Sequence, residues 1–204
     1  MTPRRVLDLF CGAGGAAMGL HRAWPDAEIV GVDIKPQPRY PFTFVQTDAM
    51  TYPLDGFDFI WASPPCQHYS CVTKKCDRER HPDLITLVRG KLSLSGFAYV
   101  IENVVGARRE MLFPTLLCGS MFGLRTQRHR LFEANFALWA PQRCDHQIPP
   151  LLVTTAGANS RKNGNYKSVK NAREAYGIDW MDGNGLAEAI PPAYSEYIAR
   201  QLPA

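Results

Sequence analysis

The sequence predicts an α/β fold built on a mostly parallel sheet with helices on both faces. Short apolar runs of strand length recur along it, at residues 5–10, 28–33, 42–47, 57–61 and 98–101. Segments with the apolar spacing of a helix interrupt them, at 16–24 and 82–94. Polar or reactive side chains stand at or near the ends of the runs: Asp8, Asp33, Asp48, Cys66 and Glu102. In an open parallel sheet those ends share one rim, where ligands bind. With 204 residues and 46% hydrophobic content, the chain is sized for one domain with a sizeable core.

The first run passes into Cys11-Gly12-Ala13-Gly14-Gly15 and then into the helix at 16–24. Strand, glycine-rich turn and helix make a nucleotide-binding layout, because glycines let the backbone approach a ligand and the helix start offers N–H groups. The second run ends in Asp33, roughly 20 residues past the glycine turn, the position from which a carboxylate grips ribose hydroxyls. The third leads to Asp48, which could accept from an adenine amino group; loop capping is the commoner use of such acids. The fourth is stopped by Pro64 and Pro65, which neither donate to a sheet ladder nor continue a helix. Cys66 is therefore presented in a rigid turn.

A polar segment with Lys74, Lys75, Arg78 and Arg80 follows, in the manner of a loop closing over substrate. His81-Pro82-Asp83 opens the helix at 82–94, with Leu84, Leu87, Val88 and Leu92 toward the core. The fifth run ends in Glu102-Asn103-Val104. An apolar stretch at 111–123 precedes Arg128-His129-Arg130, whose arginines alternate as on one face of a strand. Residues 133–169 show no sustained period. A helix at 171–176, Trp180 in the core, and a last helix from Ile190-Pro191-Pro192 to Leu202 complete the chain.

The formal charge of +4, from 23 Lys and Arg against 19 Asp and Glu, is too small to fix a nucleic-acid partner. Its clustering says more: Arg125, Arg128, His129 and Arg130 form one group, and Arg161, Lys162, Lys167, Lys170 and Arg173 form another, in which Lys162 to Lys170 reads as a basic loop suited to phosphate. With no signal peptide and no membrane-spanning stretch, the sequence reads as a soluble cytoplasmic protein. The six cysteines accordingly read as reduced thiols. Cys71, Cys76 and His81, with Cys144 and His146, lack a Cys-x-x-Cys pair and read as loop residues, so no metal is expected. Cys11 and Cys118 read as packing residues, and Trp24, Trp61 and Trp139 as core or rim aromatics.

Taken in order, these segments resemble the cytosine-C5 DNA methyltransferase family. The stretch Asp8-Leu9-Phe10-Cys11-Gly12-Ala13-Gly14-Gly15 resembles its first cofactor motif, Pro65-Cys66-Gln67 its nucleophile motif and Glu102-Asn103-Val104 the motif that contacts cytosine. Arg128-His129-Arg130 resembles the paired-arginine motif, and Arg173-Glu174-Ala175 and Ala189-Ile190-Pro191-Pro192 the last two. The resemblance implies a Rossmann-like S-adenosylmethionine-dependent methyltransferase fold, with S-adenosylmethionine as cofactor and double-stranded DNA as partner. It implies a cofactor site of Asp8, Phe10, Gly12, Gly14, Gly15, Asp33, Ile34, Asp48, Ala49, Pro64 and Glu188, with Phe10 against the adenine and Asp33 on the ribose. The implied catalytic set is Cys66, Glu102, Asn103, Arg128 and Arg130. It divides the chain into a catalytic and cofactor-binding core at 1–132, a reduced target-recognition region at 133–169, and C-terminal helices returning to the core at 170–204. Two departures stand out: Thr126, with Gln127 adjacent, replaces a glutamine ahead of the arginines, and Ala187-Glu188 replaces Gly-Asn.

The chemistry this implies suits the residue types. C5 of cytosine is too poor a nucleophile to take a methyl group until a thiolate adds to C6 and makes the ring an enamine. A cysteine with an ordinary pKa of about 8.5 keeps a few per cent thiolate at neutral pH. Glu102 is expected to donate to N3 as a neutral carboxyl raised by burial, and Asn103 to orient the glutamate or its strand. Arg130 is expected on O2, with Arg128 supporting the site or a phosphate. A base in a duplex must also be flipped out. Methylation of exocyclic amines would place an aromatic residue where Cys66 stands, so the C5 route is favoured. C5 methylation of RNA would use the same residues, and a non-catalytic binder of S-adenosylmethionine or DNA is the third reading.

Overall fold

Alternation along the strands decides the architecture. Val6, Phe59, Trp61 and Val100 feed one buried cluster, while Leu7, Leu9, Ile60 and Ile101 feed another. A strand whose odd and even residues are both apolar must be covered on both faces, as in a parallel sheet flanked by helices.

The computed structural model describes residues 2–69, 81–147 and 169–203. Its elements are β1 (Arg5–Leu9), α1 (Gly15–Ala23), β2 (Glu28–Asp33), β3 (Thr43–Gln46), β4 (Phe59–Ala62), α2 (Ile85–Ser95), β5 (Ala98–Asn103), β6 (Thr115–Leu117), β7 (Arg130–Ala134), α3 (Val169–Tyr176), α4 (Gly183–Glu188) and α5 (Pro192–Ala199). Short 3-10 turns occupy Val105–Ala107 and Gly119–Phe122. The sheet order is β3-β2-β1-β4-β5-β7-β6. The first five strands in that order run parallel, and β7 and β6 add antiparallel. This is the mostly parallel, Rossmann-like sheet expected from the sequence.

The chain leaves β1 for β2 on one side and later returns to β4 on the other, so the strand order reverses between β1 and β4. Ligands in open α/β sheets bind outside the carboxyl ends at such a point. The Ser63 N–H donates to the Leu9 carbonyl at 3.1 Å, tying the turn after β4 to the turn after β1.

Helices α1 and α5 cover one face through Ala17, Leu20, Tyr194 and Ile198. They cross closely enough for the Ser195 hydroxyl to donate to the Ala16 carbonyl at 2.8 Å. Helix α2 covers the other face with Ile85, Val88 and Leu92. A small third cluster joins α3 and α4 through Ala172, Tyr176, Met181 and Leu186. Among the described residues, no helix is long and apolar enough to cross a membrane.

Several boundaries differ from expectation. Helix α2 starts at Ile85 rather than Pro82, because the Asp83 carboxylate accepts the Ile85 N–H at 3.2 Å and holds the preceding residues in a turn. Leu87 lies off the stripe of Ile85, Val88 and Leu92 and is exposed. The last helix ends at Ala199, where a turn replaces its final residues. Trp139 is exposed, and Trp180 is half-buried, its indole N–H donating to the Ala13 carbonyl at 2.9 Å. Strand β7 continues to Ala134 and buries Glu133, which accepts from Arg89 Nε at 2.6 Å. The region at 133–169 therefore begins inside the sheet. Cys71, Cys76, the basic residues 74–80 and those at 161–167 lie outside the described residues.

Candidate active site

Two turns meet across the point where the strand order reverses. The first follows β1, where Phe10 adopts a left-handed backbone with φ of 57°, a conformation that costs a non-glycine residue free energy and is held here by its surroundings. The Gly12 N–H then donates to Asp33 Oδ2 at 3.0 Å, joining the ends of β1 and β2. Asp33 Oδ1 accepts the Lys35 N–H at 2.9 Å. A Cβ on Gly12 would meet nothing within 4 Å, so open space begins there. The two later glycines serve packing: a Cβ on Gly14 would lie 2.7 Å from Pro41, and one on Gly15 would lie 2.3 Å from the Ile190 carbonyl. Ile34 stands exposed beside Asp33. Asp48 is also exposed and accepts the Met50 N–H at 2.9 Å, while Ala49 is buried and its carbonyl takes a hydrogen bond from Lys91 at 3.1 Å.

Asp8 does not reach the rim. It is buried beneath the glycine turn, where the Tyr40 hydroxyl donates to its Oδ2 at 3.2 Å and its Oδ1 has no partner. Burial, reinforced by the charge of Asp33, pushes its pKa up to about 8 against the hydrogen bond from Tyr40. The sign follows from linkage. Below the ordinary carboxyl range both folded and unfolded chains hold the proton, but between there and about pH 8 only the folded chain does, so stability falls as pH rises. Asp8→Asn is therefore expected to change stability little at pH 4 and to raise it by roughly 2–5 kcal/mol at pH 8. Denaturant titrations at the two pH values check this; equal effects at both would contradict it.

The second turn carries Cys66. Its carbonyl accepts the Tyr69 N–H at 3.0 Å, and its side chain is half-buried. Asn103, at the end of β5, donates through Nδ2 to the Pro64 carbonyl at 3.0 Å and accepts the Val104 N–H at 2.9 Å. Asn103 thus positions the cysteine turn rather than the glutamate. Asn103→Ala leaves the buried Pro64 carbonyl without a donor, so a stability loss of about 1–3 kcal/mol is expected. A slackened turn should also slow any reaction at Cys66 by roughly 10–100-fold with little change in cofactor affinity. Thermal unfolding and steady-state rates would show it; a normal rate in a folded variant would remove Asn103 from this role.

Glu102 is buried in β5, with Oε1 3.1 Å from Arg130 Nε at the start of β7. Burial raises its pKa above the ordinary glutamate value, although Arg130, Arg128 and a hydrogen bond from Ser63 oppose the rise. Burial likewise pushes the Cys66 thiol up, aided by Glu102 and Glu188 and opposed by Arg130. The thiolate fraction is therefore below that of an ordinary cysteine, so Cys66 rests protonated and needs help to ionise. Glu188, the exposed last residue of α4, shares this cleft.

The paired arginines do not share a strand face. Arg130 begins β7, whereas Arg128 precedes it and is buried, donating to the Ala187 carbonyl at 2.9 Å and to the Tyr176 hydroxyl at 3.3 Å. Its guanidinium also lies over the Tyr176 ring, and the Tyr194 hydroxyl donates to its carbonyl at 2.6 Å. A buried group so engaged cannot contact a phosphate; it ties the arginine segment to α3, α4 and α5. Thr126 is buried and the adjacent Gln127 exposed, so Gln127 does not take over the missing glutamine's place. Ser63, Tyr40, Tyr176 and Tyr194 all shape the site without having been singled out in the sequence. Ser63 alone had a local signal, being inside the proline turn.

The geometry can be set beside known proteins. Residues 4–110 match the model for the C-5 cytosine-specific DNA methylases. The chain belongs to that family. EhMeth, a methyltransferase of Entamoeba histolytica, superposes with a TM-score of 0.62 over 98% of this chain and 99% of its own, at 12% identity, showing a shared fold. An RNA methyltransferase from Salinibacter ruber, solved with S-adenosyl-L-homocysteine, gives a TM-score of 0.41 at 14% identity, covering 71% of this chain and 85% of that one. No curated protein matches the sequence.

The cytosine-specific methylases take their methyl group from S-adenosylmethionine. The residues present fit that donor: open space begins at Gly12, the Asp33 carboxylate stands at the neighbouring strand end, and exposed Ile34 offers an apolar face beside it. The chain is thus an S-adenosylmethionine-dependent methyltransferase. The family match ends at Glu110, so Arg128, Arg130 and the C-terminal helices enter the site on geometry alone.

Proposed function

We propose that this methylase transfers a methyl group to C5 of cytosine in double-stranded DNA, through a covalent bond between Cys66 and the flipped base. The observation that carries this reading is the convergence of Cys66, Glu102 and Arg130 at the strand ends, beside the turn of Gly12 and Asp33. A sulfur nucleophile, a buried carboxyl and a guanidinium in one cleft are what addition to a pyrimidine requires.

In this mechanism the Cys66 thiol gives its proton to the neighbouring Glu102 carboxylate, and the thiolate so formed bonds to C6 of the cytosine. The displaced electron pair moves toward N3, where Glu102 delivers a proton; its raised pKa makes the neutral acid accessible. Arg130, released from Glu102 while the carboxyl holds that proton, turns toward O2 of the base. Gly12, Asp33, Ile34 and Asp48 would hold S-adenosylmethionine, which would supply an electrophilic methyl group for C5 and leave as S-adenosylhomocysteine. A base then removes the C5 proton, the C6–S bond breaks, and aromaticity and the thiolate return. Asn103 and Arg128 act as positioning residues. The residues between β7 and α3 are assigned to target recognition, the basic Lys162 and Lys167 among them.

Transfer of a labelled methyl group to double-stranded DNA, with RNA and free dCMP in parallel, tests the reading. Label at C5 of cytosine in DNA is the expected result, and label in RNA alone would replace DNA by RNA as the substrate. Cofactor binding without transfer to any substrate would leave a binding protein.

A further inference from the structure

Cys118, His129 and the Cys144–His146 pair come from three separate segments, yet their ligand atoms all lie within 4.8 Å of one another. Cys118 Sγ is 3.4 Å from His146 Nε2, and Cys144 Sγ is 3.7 Å from His129 Nε2. The imidazole rings of His129 and His146 face edge-on with centroids 5.1 Å apart. We propose that these four side chains form a structural zinc site beneath the paired arginines.

The distances support a metal. Zinc bonds of about 2.3 Å to sulfur and 2.0–2.1 Å to nitrogen place tetrahedral ligand atoms roughly 3.3–3.8 Å apart. Both sulfur–nitrogen spacings fall in that span, so the cluster closes on a metal with small side-chain rotations. Two thiolates and two imidazoles give a neutral Zn²⁺ site, suited to a half-buried place, and that donor set in tetrahedral array favours zinc over harder cations. Four protein ligands leave no open position, so the site is structural rather than hydrolytic.

Supporting groups surround the ligands as they do in metal sites. The Ser120 hydroxyl donates to Cys118 Sγ at 3.4 Å, and the His129 ring is hydrogen-bonded to the Gln127 backbone. The site would fasten three segments: the start of the 3-10 turn at Gly119–Phe122, the backbone between Arg128 and Arg130, and Cys144–His146. Gln142 already bridges two of these, donating to the Met121 carbonyl at 3.0 Å. Because His129 stands between the arginines, the metal would also hold the backbone from which Arg130 reaches Glu102.

Elemental analysis of the full chain after exposure to zinc and desalting should find about one zinc per protein. Cobalt in its place should give the intense visible bands of a tetrahedral site and a thiolate charge-transfer band. Cys144→Ser should lower that band by about half, since one of two thiolates is lost. Cys144→Ser combined with His146→Ala should lose the metal while circular dichroism still reports a folded α/β chain. Cys71→Ser with Cys76→Ser should keep it. A folded wild-type chain that takes up neither zinc nor cobalt would overturn the proposal. So would metal that survives the Cys144 and His146 changes or disappears with Cys71 and Cys76.

Discussion

Replacing Cys66 by alanine is expected to lower methyl transfer by at least about 10³-fold and to leave the fold in place. The rate loss is large because, among the described residues, no other group placed in the cleft can add to C6 and return as a leaving group. The fold survives because the turn is held by its backbone and by Asn103: the Cys66 carbonyl takes the Tyr69 N–H, and the Pro64 carbonyl takes Nδ2 of Asn103. Cofactor affinity, which the proposal gives to the glycine turn and Asp33, should change little. Paired measurements of transfer rate and cofactor binding separate these effects. A variant that keeps transfer within tenfold of the parent would remove Cys66 from the chemistry.

Glu102→Gln has two effects of opposite direction. Methyl transfer is expected to fall by roughly 10²–10⁴-fold, because an amide cannot deliver the proton that the proposed mechanism gives to N3. Alkylation of Cys66 at pH 8, read on the peptide that carries it, accelerates by about two- to fivefold. The reason is electrostatic: Glu102 raises the thiol's pKa in the resting site, and removing its charge lets Cys66 ionise more readily. Arg130→Gln should act the other way on alkylation, since Arg130 lowers that pKa. Alkylation slowed by Glu102→Gln would show that the carboxylate does not face the thiol.

The local devices of the site were legible in the sequence. Pro64 and Pro65 announce the turn that presents Cys66, and the glycines after β1 announce the turn that meets Asp33, because each signal is carried by residues in direct succession. The long-range ties were not. Asn103 meets Pro64 across 39 residues, and Arg128 reaches Tyr176 and Ala187 across 48 and 59. The pattern of alternating arginines suggested a shared strand face, but burial against α3 and α4 took Arg128 away from it. Asp8 read as a rim residue because it lies near a strand end; Tyr40 closes over it and makes it an enclosed acid. Cys118 and His129 gave no metal signal, since neither belongs to a closely spaced ligand pair, and only the fold brings them to Cys144 and His146. The thiol's raised pKa was equally hidden, because burial of the turn and the charges of Glu102 and Glu188 come from other parts of the chain.

The most direct test of the central claim is to trap the covalent bond itself. A pool of random-sequence DNA duplexes carrying 5-fluorodeoxycytidine, incubated with the protein and S-adenosylmethionine, offers a base from which no C5 proton can be removed after methyl transfer. The account predicts a protein–DNA complex that survives denaturant, forms only with the donor present, and maps by peptide mass to Cys66. Attachment through any other residue, or turnover on unmodified duplex with no trapped complex on the fluorinated one, would contradict it.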